Sequence, residues 1–277
     1  MCRYVVYLSA TLKYHTIQNY VSGVISLNNY SGHNVKTIRS DFEFIMTLAG
    51  IRRTLGDPTP VRPSLTLSNL LEMYKFVNLD SVEHRVMWTC IALSFRALLR
   101  KSNLVPDAAV NPSGHFLRRG AVSFTWWGME LHISSSKTIQ YGQKVHKVPI
   151  TVSPGSPLCA ASLLREHFRE FPSEDPSSPA LVIPKGDSVV PLTYSKVLRF
   201  IKKLMTASGL DPERAGMHSL RRAGALYMYS LGLSIEDIRQ AGDWSSMAAL
   251  LYLTKPYQTR IDTDGVVSKC LSSAWSP

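Results

Sequence analysis

Acidic charge is scarce in this chain: 20 Asp and Glu stand against 31 Lys and Arg, a net charge of +11 over 277 residues. That imbalance points to a polyanionic partner, and a nucleic acid and an anionic membrane surface both fit the sign. Cysteine is scarce too. Cys2, Cys90, Cys159 and Cys270 are far apart and form no CxxC pair, which argues against a disulfide framework or a zinc site. Cys90 lies in an apolar helical pattern and reads as a core residue. The sequence lacks a P-loop, a GxGxxG and an HExxH, so nucleotide-driven and zinc-hydrolase chemistry have no motif to rest on. Long apolar runs are missing as well. The longest nearly unbroken stretch, Val86 to Phe95, is far too short to span a bilayer, and no secretory leader opens the chain, so a soluble, intracellular protein is expected.

What is present describes a folded protein: 45% of residues are apolar and 18% charged. The length favours two domains. Residues 1–55 read as helices with short polar breaks, with Thr16 capping one and Val35 opening another. An apolar stripe begins almost at the first residue, implying either an absent first helix or another chain over that face. The segment from Gly56 to Ser64 holds three prolines in nine residues and is placed as a linker. From residue 65 to 277 a larger domain follows. Leu67 to Val77, Val82 to Leu99, Cys159 to Phe171 and Tyr194 to Ala207 carry helical periodicity. Gly120 to Trp127, Glu130 to Ser134 and Lys144 to Ile150 are rich in β-branched and aromatic residues and read as strands. The fold class expected is mainly α with one small antiparallel β-sheet.

The most informative segment runs from His218 to Tyr252. His218 and Arg221 are three apart, which places them on one helix face and lets both address a single anion. Between residues 196 and 222, seven basic residues face two acidic ones. Arg100 sits at the end of a helical pattern, where its planar fork can grip two phosphate oxygens or, more plainly, the last helical carbonyls. Lys137 lies in a connection between strands that has no acidic residue from Ile133 to Ile150, and it is either a general acid or a solvated backbone contact. Trp244 follows a Gly-Asp turn and can pack in the core or donate its indole N–H. Tyr252 is a candidate nucleophile whose phenol needs surrounding cations, with Tyr257 its rival.

Taken in order, Arg, Lys, His-x-x-Arg, Trp and Tyr resemble the tyrosine recombinases, the phage-integrase family. LRKSNL at Leu99 to Leu104 is similar to the family's LRxSEL box, with Arg100 as its arginine and Asn103 in place of the usual glutamate. SKT at Ser136 to Thr138 resembles its hairpin-lysine motif, HSLR at His218 to Arg221 its H-x-x-R box, and GDWSS its GHSS or GWxx box. Tyr252 follows Trp244 by eight residues. The finer wording is similar to recombinases of eukaryotic mobile elements of the DIRS, Ngaro and Crypton kinds.

The resemblance implies a helical core-binding domain at 1–55, a linker at 56–64 and a recombinase catalytic domain at 65–277. It implies that Tyr252 attacks a phosphorus of double-stranded DNA, leaving a 3′-phosphotyrosine and a free 5′-hydroxyl. Arg100, His218, Arg221 and Trp244 would then stabilise the phosphoryl oxygens, and Lys137 would act as general acid. It implies no metal and no other cofactor, a homotetramer on paired sites, no membrane partner, and a nuclear location. Two other readings stay open: a DNA-binding protein derived from such an element but catalytically silent, and a relaxing enzyme like the type IB topoisomerases.

Overall fold

A computed structural model describes residues 1–33, 36–56, 65–110, 112, 114–136, 138–139, 144–214 and 216–244. The chain divides into two compact units, Met1–Arg62 and Pro63–Pro277, and most of the expected linker, residues 57–64, lies outside the described residues. No helix among the described residues is long and apolar enough to cross a membrane.

The first unit holds three helices, α1 (Cys2–Ser9), α2 (Tyr14–Tyr30) and α3 (Phe42–Leu55). Val5, Leu8, Ile17, Val21, Phe44 and Ile51 recur at helical spacing and meet in one small core. Helix α2 begins two residues before Thr16, with Lys13 at its N-cap, so Thr16 lies inside the helix and does not cap it. The start of α3 is fixed by Asp41, whose carboxylate accepts from the Phe44 amide at 2.8 Å. Val35 lies outside the described residues, and a short 3-10 turn, Lys36–Ser40, precedes α3.

The second unit is built around α5 (Val82–Arg96), whose residues Val86 to Phe95 are all buried. That stretch, apolar but for Thr89 and Ser94, is buried on every side because α6 (Ala160–Glu170), α7 (Tyr194–Ala207) and α8 (Met217–Ser230) all pack on it. Helices α4 (Leu67–Tyr74) and α9 (Ile235–Ala241) complete the set. Strands β1 (Val122–Phe124), β2 (Gly128–Ile133) and β3 (His146–Thr151) form an antiparallel sheet in which Leu131 pairs with Val122 and Val148. Alternate residues Met129, Leu131 and Ile133 face the core, as a period of two requires. A second hairpin, β4 (Val182–Lys185) with β5 (Ser188–Pro191), adds to the single sheet expected.

Two positions make the packing testable. Gly224 lies where α8 crosses α5, and a Cβ there would fall 2.1 Å from the Phe95 carbonyl oxygen. Gly224→Ala should therefore lower unfolding free energy by about 1–3 kcal/mol in denaturant titration, since the obstacle is backbone that cannot swing aside. His167 on α6 is 4% exposed, and its Nε2 accepts from the Val182 amide at 3.3 Å. Burial first, then the charges of Arg119 and Arg85, push its pKa down from 6.5 to about 4. Between those two values the unfolded chain binds the proton that the folded chain refuses, so stability declines as pH falls through this window. The loss from this group should reach about 2–3 kcal/mol between pH 7 and pH 4.5, and His167→Gln should flatten that part of the profile.

Candidate active site

Helix α5 stops at Arg96, and Leu98 adopts a left-handed conformation with φ of 50°. Such a backbone costs a non-glycine residue about 1–2 kcal/mol. The Leu98 side chain is 1% exposed against Ala225, Ile238 and Trp244, and that burial offsets the strain. The reversal sets half-buried Arg100 at the head of a 3-10 turn, Lys101–Asn103. Asn103 is 3% exposed and donates its amide to the Ser135 carbonyl at 2.8 Å, joining this turn to the end of β2. A glutamate in that place has no proton to donate when ionised. The departure from the LRxSEL pattern thus carries its own bond.

Arg221, one turn into α8, is 2% exposed. Its guanidinium donates to the Leu98 carbonyl and, at 2.5 Å, to the Gly242 carbonyl, and it lies 4.0 Å from the centroid of the Trp244 ring. Carbonyl oxygens and the ring's π face together replace the water that a buried cation forfeits. The turn that supplies Gly242 follows α9, whose start is fixed by a reciprocal cap between Ser234 and Asp237. A Cβ on Gly242 would fall 1.8 Å from the Trp244 ring, so only glycine lets this ring fold back over the turn. Asp243 is left-handed, with φ of 48°, a conformation that Asp tolerates better than most residues.

The connection between β2 and β3 closes on the same turn. Lys144 donates to the Asp243 carboxylate at 2.6 Å, Ser136 lies 3.4 Å from it, and the Thr138 hydroxyl donates to it as well. Burial opposes ionisation of Asp243, but the hydrogen bonds from Lys144 and Thr138 and the Lys144 charge outweigh it and hold the pKa below the usual carboxylate range. His146 Nε2 meets the Ala241 carbonyl at 3.2 Å, which requires that nitrogen to carry the proton. Arg100, Arg221, Asn103, Ser136, His146 and Asp243 line one narrow crevice. Two guanidinium groups at one opening suit the oxygens of a phosphodiester, which a planar fork can grip in pairs.

Of the residues singled out in the sequence, Arg100 and Arg221 thus meet at one crevice, and Trp244 stacks on Arg221. His218 is exposed in the first turn of α8 and is not among the residues lining the crevice. Arg222 is half-buried. Lys137, Tyr252 and Tyr257 lie outside the described residues. Asp243, Lys144, Ser136 and His146 were not foreseen as site residues. The only advance signals for them are the Asp inside GDW and the hydroxyls on either side of Lys137 in SKT.

Neither a protein-family model nor a curated protein matches this chain. Solved structures do. The XerH site-specific recombinase in a post-cleavage complex with palindromic difH substrate superposes with a TM-score of 0.64 at 16% identity, over 96% of this chain and 71% of that one. The Tn1549 transposon integrase with circular intermediate DNA gives 0.64 at 14% identity, over 96% and 84%. A lambda integrase dimer bound to a COC′ core site gives 0.52 at 16% identity, over 91% and 75%. The chain therefore has the tyrosine-recombinase catalytic fold.

Arg221→Lys keeps the charge but replaces a fork that reaches two carbonyls by a single ammonium. It should cost about 2 kcal/mol of stability, read as a lowered denaturation midpoint with unchanged slope. A neutral outcome would mean that the two carbonyl bonds contribute nothing.

Proposed function

We propose that this chain is a tyrosine recombinase that cleaves and rejoins double-stranded DNA through a 3′-phosphotyrosine. The observation that carries this reading is the convergence of Arg100 and Arg221, 121 positions apart in the sequence, on one crevice in a fold shared with recombinases solved on DNA. In the proposed reaction the Tyr252 oxygen bonds to phosphorus as the bond to the 5′ oxygen breaks. The leaving oxygen takes the electron pair and a proton from Lys137, while Arg100 and Arg221 hold the non-bridging oxygens, joined by His218 from the exposed start of α8. Trp244 holds Arg221 in place. Religation reverses the step with a new 5′-hydroxyl, so bond energy is conserved in the covalent link. The net charge of +11 suits the duplex.

The motif wording extends the proposal to integration or excision of a mobile element, by a homotetramer on paired sites in a nucleus. The first unit is then the core-binding domain and the second the catalytic domain.

The test uses a pool of duplexes of randomised sequence, each nicked so that cleavage releases a short fragment and cannot reverse. Detergent-resistant protein–DNA adducts are expected, with the DNA mapped by mass spectrometry to Tyr252. Tyr252→Phe should reduce adducts to background, with duplex affinity changed less than about twofold, because only the nucleophile is removed. Adducts that persist would move the nucleophile to Tyr257. Salt-sensitive binding with no adduct from the unaltered chain would favour the silent DNA-binding reading. Relaxation of supercoiled plasmid without a preferred site would favour the topoisomerase reading.

A further inference from the structure

We propose that Asp243 is a positioning residue for the step that protonates the leaving oxygen, acting through its bonds to Ser136, Thr138 and Lys144 of the β2–β3 connection. This rests on the recombinase reading above. Three side chains of that connection meet one carboxylate: Ser136 and Thr138 near its start, and Lys144 at its end. Ser136 and Thr138 flank Lys137 in the sequence, the residue to which the proposed reaction gives the proton. On its other side Asp243 adjoins Gly242, whose carbonyl accepts from Arg221, and Trp244, which stacks on the same guanidinium. Asp243 therefore links Ser136, Thr138 and Lys144 to the neighbours of the buried Arg221 guanidinium through two short paths.

The chemistry of the position supports a clasp over a bystander. A bare carboxylate lining a crevice with Arg100 and Arg221 would repel an incoming phosphate. Here Lys144 neutralises it at 2.6 Å. A second bond, from His146 at the start of β3 to the carbonyl of Ala241 at the end of α9, holds the same region. The left-handed backbone at Asp243 also narrows the choice of residue, since an aliphatic side chain would be strained there. Asp243→Asn is the informative variant: Asn accepts that backbone, keeps the volume, and loses the charge that gathers Lys144 and the hydroxyls.

The experiment compares the unaltered protein with Asp243→Asn on a duplex recovered from the randomised pool, made in two forms. One carries the ordinary scissile phosphate, the other sulfur in place of the 5′ bridging oxygen. Sulfur leaves as a thiolate and needs no proton, so a defect in leaving-group protonation disappears on that substrate. Asp243→Asn should slow adduct formation on the oxygen substrate by at least about tenfold, and on the sulfur substrate by less than about threefold. Equal losses on both would make Asp243 merely structural and overturn the proposal. The double variant Ser136→Ala/Thr138→Ala leaves the Asp243 turn untouched and should give the same asymmetry, which keeps the test decisive if Asp243→Asn folds poorly. Hydrogen exchange on the DNA-free protein tests the clasp alone: amides between Ile133 and His146 should exchange faster in either variant, with α5 and α8 unchanged. Unaltered exchange overturns the clasp even where adducts form. No adduct from the unaltered protein, with exchange still accelerated, would overturn the recombinase reading and with it the positioning role.

Discussion

The buried guanidinium of Arg221 is the joint on which the second unit's site depends. A full positive charge at 2% exposure is tolerable only when every direction around it offers electron density. Leu98 and Gly242 supply carbonyl oxygens and Trp244 supplies a ring face, so three chain segments are forced to meet at one side chain. The demand runs outward from there. Leu98 can present its carbonyl only through a left-handed turn at the end of α5, and the same turn sets Arg100 at the crevice. The Trp244 ring can fold back only over a glycine, and α8 can bring Arg221 close to the α5 terminus only because Gly224 lets the two backbones touch.

Around this joint the polar groups are arranged so that their charges do not cancel the crevice. Asp243 is an anion beside two crevice-lining arginines, and it is matched by Lys144 and by two hydroxyls. The balance keeps the Asp243 charge from opposing the two arginines that line the crevice, Arg100 half-buried and Arg221 buried. It also couples two regions that share no secondary structure, since the connection after β2 and the turn after α9 are held by side-chain bonds alone.

Much of this was legible in the sequence where local physics decides. Helix α7 has the bounds that its periodicity implies, and the apolar run of α5, interrupted only by the small hydroxyls of Thr89 and Ser94, marks a helix buried on all sides. The strands of the larger sheet fall within a few residues of their β-branched segments. The β4–β5 hairpin was missed because its strands are four residues long and carry Pro184 and Pro191, which argue against strand by propensity although pairing at a hairpin edge tolerates them. In the site, spacing could pair His218 with Arg221 on one helix face, but it could not tell that the first turn of α8 is exposed and the next one buried. Asp243 was invisible for a different reason. Its partners lie about a hundred positions away, and no local pattern reports a contact that only the tertiary fold creates.

That distinction also says which parts of the site are constrained by residue type. Arg221 bonds to Leu98 O and Gly242 O, Asn103 to Ser135 O, and His146 to Ala241 O, so four of the bonds that assemble the site end on main-chain carbonyls. A carbonyl is supplied by any residue whose backbone follows the right path, so the accepting positions are constrained by conformation and by packing rather than by hydrogen-bonding chemistry. The donors are not free in this way, because a planar fork reaches two carbonyls at once and the Asn103 amide donates where an ionised carboxylate could not. Asp243 is the exception among acceptors: it offers a charged side chain, and its partners are side chains too. A bond of that kind is lost when either end changes, so both Asp243 and its side-chain partners are constrained by residue type.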